Sequence, residues 1–367
     1  MSRGEVASFI GGANVVVNLP STLARACASR SGVRSSPLTG TIMFGVLCGS
    51  GGGPITIYQM DPGPLCGGIY NPRHITTGSD GALWFITQGS GSLPGSIGRI
   101  TTSGAMSFFS VPCGPSEMTA GPDGALWFTC DDGKSPGSIV RMTTSGTTTT
   151  YSATNLAPGD ITVGPDGALW FLNGAHSIGQ ITTSGYISNY SDPGIDGPIS
   201  ITAGPDGALW FTNLGQSTSP GTPPVGSIGK IMTSGVVTTY SDPSIAIPWD
   251  ITAGPDGALW FTNSSSVNPS IGRITTSGVV SSYPVTGWMS GPFAIISGPD
   301  GARWFSQYAY PYIGSSTGSI GRITTAGVIT DYTANGVYTP YDITTGPDGA
   351  LWFVNSGNDS IGRITTP

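Results

Sequence analysis

A segment of thirteen residues, ITAGPDGALWFTN, stands at 201–213 and again, unchanged, at 251–263. No other feature restricts the fold as strongly, because a fixed repeat changes the meaning of every local motif inside it. The Trp-Phe pair of this segment recurs at Trp84, Trp127, Trp170, Trp210, Trp260, Trp304 and Trp352, spaced 40 to 50 residues apart, so the chain carries seven copies. Each copy follows one pattern: Pro-x-x-Ile-Thr, Gly-Pro-Asp-Gly, Ala-Leu-Trp-Phe-Thr-Asn, a variable stretch, Ser-Ile-Gly-Arg-Ile-Thr-Thr-Ser-Gly, and Val-Val-Thr-Thr-Tyr. In Gly-Pro-Asp-Gly, Pro presets the second position of a type I turn and the last Gly takes the left-handed conformation a short hairpin needs. Thr-Ser-Gly turns the third strand into the fourth in the same way. Four strands in a unit of this length are the signature of a β-propeller blade, and seven lies inside the usual range of blade number. The expected fold is all-β: a seven-bladed β-propeller of four-stranded antiparallel blades, with Trp and Phe packed between blades that could not bury them alone.

Composition agrees. Only 9% of residues are charged, against 58 Gly and 30 Pro, and Ser, Thr and β-branched residues fill the remainder, which suits many short strands and tight turns. The net charge is −7 and the 13 Lys and Arg are scattered, which argues against a nucleic-acid partner. No run of 18 apolar residues occurs, so no membrane span is expected. A monomer is expected.

The last copy stops at Ser360–Pro367 without its Val-x-Thr-x-Tyr strand, while an orphan of that strand, PITIYQMDP, stands at 54–62. A ring that must hide its edges predicts that 54–60 pair with 360–366 as the outer strand of the last blade. Residues 54–367 are therefore the propeller and 1–53 a leader, disordered or signal-like. In the leader, Arg3, Arg25, Arg30 and Arg34 precede LTGTIMFGVLCGSGGG, the basic-before-apolar order of a secretory signal, although the apolar part is short and Gly-broken. Secretion and cytoplasmic residence both stay open.

Up-and-down strands put the two nearly invariant turns on one face of the ring. The opposite face collects the loop from strand two to three and the link between blades, with insertions such as LGQSTSPGTPPV (214–225) and SQYAYPYIGSST (306–317); specificity belongs there. The repeated turn aspartates (Asp80, Asp123, Asp166, Asp206, Asp256, Asp300, Asp348) read as turn formers rather than calcium ligands. One basic residue per blade (Arg99, Arg141, Lys230, Arg273, Arg322, Arg363), replaced only by Gln180, reads as a repeated structural contact.

On Gly-x-Asp-Gly-Ala-Leu-Trp-Phe, Ile-Gly-Arg-Ile and Pro-x-x-Ile-Thr, the chain resembles the virginiamycin B lyase (streptogramin B lyase) family over residues 54–367. The resemblance implies a seven-bladed propeller that opens a cyclic depsipeptide by elimination across its ester C–O bond, with a divalent cation, typically Mg²⁺. It also implies Pro-His-x-Ile-Thr in two neighbouring blades, a Glu before one of these prolines, and Trp-Phe-Thr-Glu. A His can move the proton next to a carbonyl or on the leaving oxygen, and carboxylates can hold the cation. In this chain the position after Pro holds Arg73, Ser116, Gly159, Ile199, Trp249, Phe293 and Tyr341, and the one before it Asn71, Gly114, Ala157, Gly197, Ile247, Gly291 and Thr339. After Trp-Phe-x come Thr87, Cys130, Asn173, Asn213, Asn263, Gln307 and Asn355. None is the family's His or Glu. A ligand-binding or catalytically diverged member is expected, the alternative being an active lyase that uses Mg²⁺.

His74 and His176 are the only histidines. His74 stands one residue late in NPRHIT, and in extended chain a shift of one sends a side chain to the opposite side, so an acid–base pair of the two is not expected. Trp249, Phe293, Tyr341 and Arg73 occupy one position in four consecutive blades. They should form an arc at the mouth of the central channel that stacks on a small molecule, glycan or peptide and holds a carboxylate; a plug for the channel is the equal alternative. One residue further on, Glu117, Asp160, Asp250 and Asp342 ring the channel as candidate cation ligands, with Asp131 and Asp132 at the rim. If lyase activity survives, His74 and Glu117 are its catalytic candidates. All five cysteines fall early and none forms a CxxC pair. Cys66 and Cys113, both in links entering adjacent blades, are the first choice for a disulfide, and Cys130 is the rival partner.

Overall fold

The computed structural model describes residues 14–18, 41–48, 54–60, 71–89, 95–130, 136–215, 226–265, 268–285, 291–307 and 318–367. Every element among them is a strand. Blade one consists of Pro72–Thr77, Leu83–Thr87, Ser96–Ile100 and Met106–Ser110, each antiparallel to the next, and the other copies repeat it. The innermost strands of neighbouring blades lie against one another around a central channel.

The turn chemistry is the expected one. Gly81, with φ of 72°, closes the first hairpin, and Gly78 N donates to Ala82 O at 2.8 Å. The glycine of Ser-Ile-Gly has a different reason: a Cβ on Gly98 would meet the ring of Phe85 at 2.2 Å, so the neighbouring strand's aromatic lies flat on bare backbone. All seven blade tryptophans are fully buried. Each is braced by its own blade: Asp80 accepts from Trp84 Nε1 at 2.9 Å through one oxygen and from Arg99 Nε at 2.6 Å through the other. Lys230 and Gln180 take the Arg place in their blades, reaching Asp206 and Asp166 at 2.6 Å. The turn aspartates are thus engaged in structure.

The ring closes as the missing strand requires. Ile55–Met60 pairs antiparallel with Ser360–Ile364, from Ile55 opposite Ile364 to Gln59 opposite Ser360, and Tyr58 stacks on Trp352 at 5.3 Å, where other blades use the aromatic of their own fourth strand. Two strands, Asn14–Asn18 and Thr41–Cys48, continue this sheet to the outer strand of blade one. The reading of 1–53 as a leader otherwise falls on residues outside those described.

The disulfide differs from the first choice. Cys113 is bonded to Cys130, with Cα atoms 5.9 Å apart, and Cys66 lies outside the described residues. The reason is register: Pro115 faces Cys130 across the first strand pair of blade two, so a cysteine two residues before that proline reaches the end of its own blade's second strand.

Candidate functional site

Each inner strand begins with a proline, and directly behind it the pairing slips. Pro72 faces Thr87 whereas Ile75 faces Phe85, so Arg73 and His74 together oppose Ile86 alone. The same slip occurs in the other six blades. A β-bulge of this kind re-aims side chains that plain alternation would send to opposite faces. Both members of a pair consequently meet the channel: Arg73 with His74, Ile199 with Ser200, Trp249 with Asp250, Phe293 with Ala294, and Tyr341 with Asp342 line one cavity of about 120 Å³, together with Glu117 and Asp160. The expectation that His74 turns away from the channel is corrected here, and the bulge is the cause.

A bulge leaves backbone groups without ladder partners, and buried ones must find others. The hydroxyl after Trp-Phe does part of this. Thr262 Oγ1 accepts from Asp250 N at 3.0 Å and donates to Phe293 O of the next blade at 2.7 Å; Thr212 and Ser306 repeat the relay. Carboxylates do the rest. Asp160 accepts from Ile161 N in its own blade and Ile201 N in the next, both at 2.8 Å. Asp250 bridges Ile251 N to Ile295 N and also accepts from Ser200 Oγ, and Asp342 bridges Ile343 N to Ile75 N. Three of the four candidate cation ligands are therefore also inter-blade ties, a role the sequence reading missed. The signal was present in the Asp that follows x in three Pro-x-Asp-Ile-Thr copies.

Glu117 has no such duty. Its carboxylate oxygen Oε2 lies 3.2 Å from His74 Nε2, and His74 Nδ1 lies 3.4 Å from Asp342 Oδ2. Burial, and then the charges of Asp160, Asp342 and Asp250, push the Glu117 carboxyl well above its ordinary range. Burial likewise raises Asp160 and Asp250 to about 6 and Asp342 to about 7, and lowers His74 against the opposing pull of Asp160. Burial thus favours the uncharged imidazole of His74 and makes the Glu117 carboxyl hold its proton to higher pH than an ordinary glutamate does.

His176 takes no part in this cavity. Its side chain is 62% exposed and its Nδ1 is 3.2 Å from Ile195 O. The arc is continuous: Trp249 to Phe293 at 4.9 Å, Phe293 to Tyr341 at 4.3 Å, and the Arg73 guanidinium over the Tyr341 ring at 4.5 Å. The opposite side of the cavity is acidic. His74, Glu117 and Asp160 bring three donor atoms within 4.8 Å of one another, the one such group among the described residues; Asp250 and Asp342 are not in it. Asp131 and Asp132 lie outside the described residues.

Residues 53–219 match the sequence profile of the virginiamycin B lyase family. A solved streptogramin B lyase is 31% identical, with 85% of this chain and 97% of that chain covered at a TM-score of 0.69. Virginiamycin B lyase from Staphylococcus aureus is 31% identical over 81% of this chain and 95% of that one, with a TM-score of 0.68. A catalytically inactive virginiamycin B lyase from Staphylococcus aureus, solved with quinupristin, is 29% identical over 85% and 99%, with a TM-score of 0.69. No curated protein sequence matches the chain.

Proposed function

Since the chain belongs to the virginiamycin B lyase family yet lacks the His and Glu positions implied for its chemistry, we propose that it is a ligand-binding, catalytically diverged member whose channel mouth holds a ring-bearing small molecule, glycan or peptide. The observation that carries this reading is the unbroken arc from Trp249 through Phe293 and Tyr341 to Arg73, open to the cavity. A row of aromatics in mutual contact gives a large contact surface at little entropic cost, and a guanidinium at its end suits a carboxylate or carbonyl. Quinupristin, present in the structure of the Staphylococcus aureus relative, is the natural probe. Tryptophan fluorescence titration is expected to give saturable binding that Trp249→Ala or Tyr341→Ala weakens by roughly 2 kcal/mol. Absence of saturation, or full affinity in both variants, would defeat the reading.

A second reading is favoured by one contact, His74 to Glu117 at 3.2 Å. In an elimination, neutral His74 would take the proton next to a carbonyl, the developing enolate would face the Arg73 guanidinium, and the C–O bond would break as the carboxylate leaves. Chromatography of quinupristin after incubation separates the two. An intact ring supports binding alone, and ring opening lost in His74→Ala supports a lyase rebuilt one residue along the strand.

A further inference from the structure

We propose that His74, Glu117 and Asp160 form a site for one divalent transition-metal ion, of the Mn²⁺ or Zn²⁺ kind rather than Mg²⁺. These residues stand two places after the proline in blades one, two and three, not at the Pro-adjacent positions implied by the family resemblance. The site does not depend on what the aromatic arc binds.

Three independent features converge on it. The first is the donor set: an imidazole nitrogen and two carboxylates, from three consecutive blades, with ligand atoms within 4.8 Å of one another. An imidazole with carboxylates suits Mn²⁺, Fe²⁺ or Zn²⁺, whereas Mg²⁺ demands an all-oxygen octahedron and gives up water reluctantly. The second is the support behind each ligand. His74 Nδ1 is buried, makes no hydrogen bond, and faces Asp342 Oδ2 at 3.4 Å, which turns Nε2 toward Glu117. Asp160 is fixed by the amides of Ile161 and Ile201. A carboxylate behind a ligating His, and hydrogen bonds behind a ligating carboxylate, are the usual outer shell of a metal site. The third is charge: the cavity wall carries four carboxyls, from Glu117, Asp160, Asp250 and Asp342, against one guanidinium, from Arg73. A divalent ion at the His74 side offsets that excess, and it keeps its remaining coordination positions open toward the cavity.

The test uses the full chain after dialysis against a chelator, with Mn²⁺ as probe because free thiols compete for Zn²⁺. Electron paramagnetic resonance counts free Mn²⁺ during titration. The expected result is one ion per chain, retained in about tenfold excess Mg²⁺, and weakened by more than about tenfold in Glu117→Gln and in His74→Ala. His176→Ala should bind as the parent does. Failure to bind Mn²⁺ at millimolar concentration, or unchanged binding in a folded Glu117→Gln protein, overturns the proposal. If both site variants fail to fold, the parent decides: nitrogen hyperfine coupling from one coordinated imidazole is expected in the Mn²⁺ complex, and its absence overturns the site. Metal binding is read without any organic ligand, so a negative result leaves the binding reading of the mouth standing.

Discussion

Aspartate does opposite things at two places in each of two blades, five and seven. In the turn, partial burial raises the Asp256 carboxyl, but hydrogen bonds from Arg273 and Trp260 outweigh it and hold the group below its ordinary value. In the channel of the same blade, burial of Asp250 wins over its hydrogen bonds and the group rises to about 6. The turn brace was legible, since one Asp, one Trp and one basic residue recur at fixed offsets and only Gln180 departs from them. The aim of His74 was not, because period-two alternation contains no sign of the extra residue behind Pro72. Asp256→Ala should leave the Trp260 indole N–H and the Arg273 guanidinium without their partner and cost about 2 kcal/mol in urea denaturation. Gln180→Arg, which supplies blade three with the common pairing to Asp166, should gain no more than about 1 kcal/mol, the pair being partly exposed. A larger loss in blade three than in blade five on removing the respective turn aspartate would contradict this account.

Among the elements, the strand Ile55–Met60 has the most distant partner, since it bonds to Ser360–Ile364. Its role was readable from an absence, a last copy one strand short and an orphan strand upstream. The disulfide was misread because which cysteines meet is decided by the opposition of Pro115 and Cys130 across a bulged pair, and spacing does not encode that. A chain beginning at Asn71 loses the closing strand, uncovers the edge of Ser360–Ile364 and removes Tyr58 from Trp352. Differential scanning calorimetry and light scattering should show a lower midpoint and association through the exposed edge, whereas a chain beginning at Gly51 should keep the closure and remain the better behaved of the two. Equal stability and equal monodispersity would refute closure by this strand. Peptide mapping without reductant should join Cys113 to Cys130.

At the scale of the whole molecule the two aspartate classes set the pH response. Asp160, Asp250, Asp342 and Glu117 have folded-state values raised above the ordinary carboxyl, so the folded protein binds their protons more tightly than the unfolded chain. Their contribution is fully present below the unfolded value and is lost as pH rises through about 6 to 7. The braced turn aspartates are lowered, and their contribution is lost as pH falls through the folded value. Thermal midpoints should therefore peak near about pH 5 and decline toward pH 8; a midpoint that climbs steadily from pH 5 to 8 would show that the channel carboxyls are not held as described. Finally, the ties between blades run from three to four, five to six and seven to one, through Asp160, Asp250 and Asp342. Asp250 also accepts from Ser200 Oγ of blade four, so the carboxylates join blades three to six in one run and blades seven and one in another. Blade two is the remainder, and its residue at that position is Glu117, the carboxylate free to meet His74. The sameness of the repeats is thus broken at one place, and the blade left out of the carboxylate ties is the one whose carboxylate stands beside the imidazole.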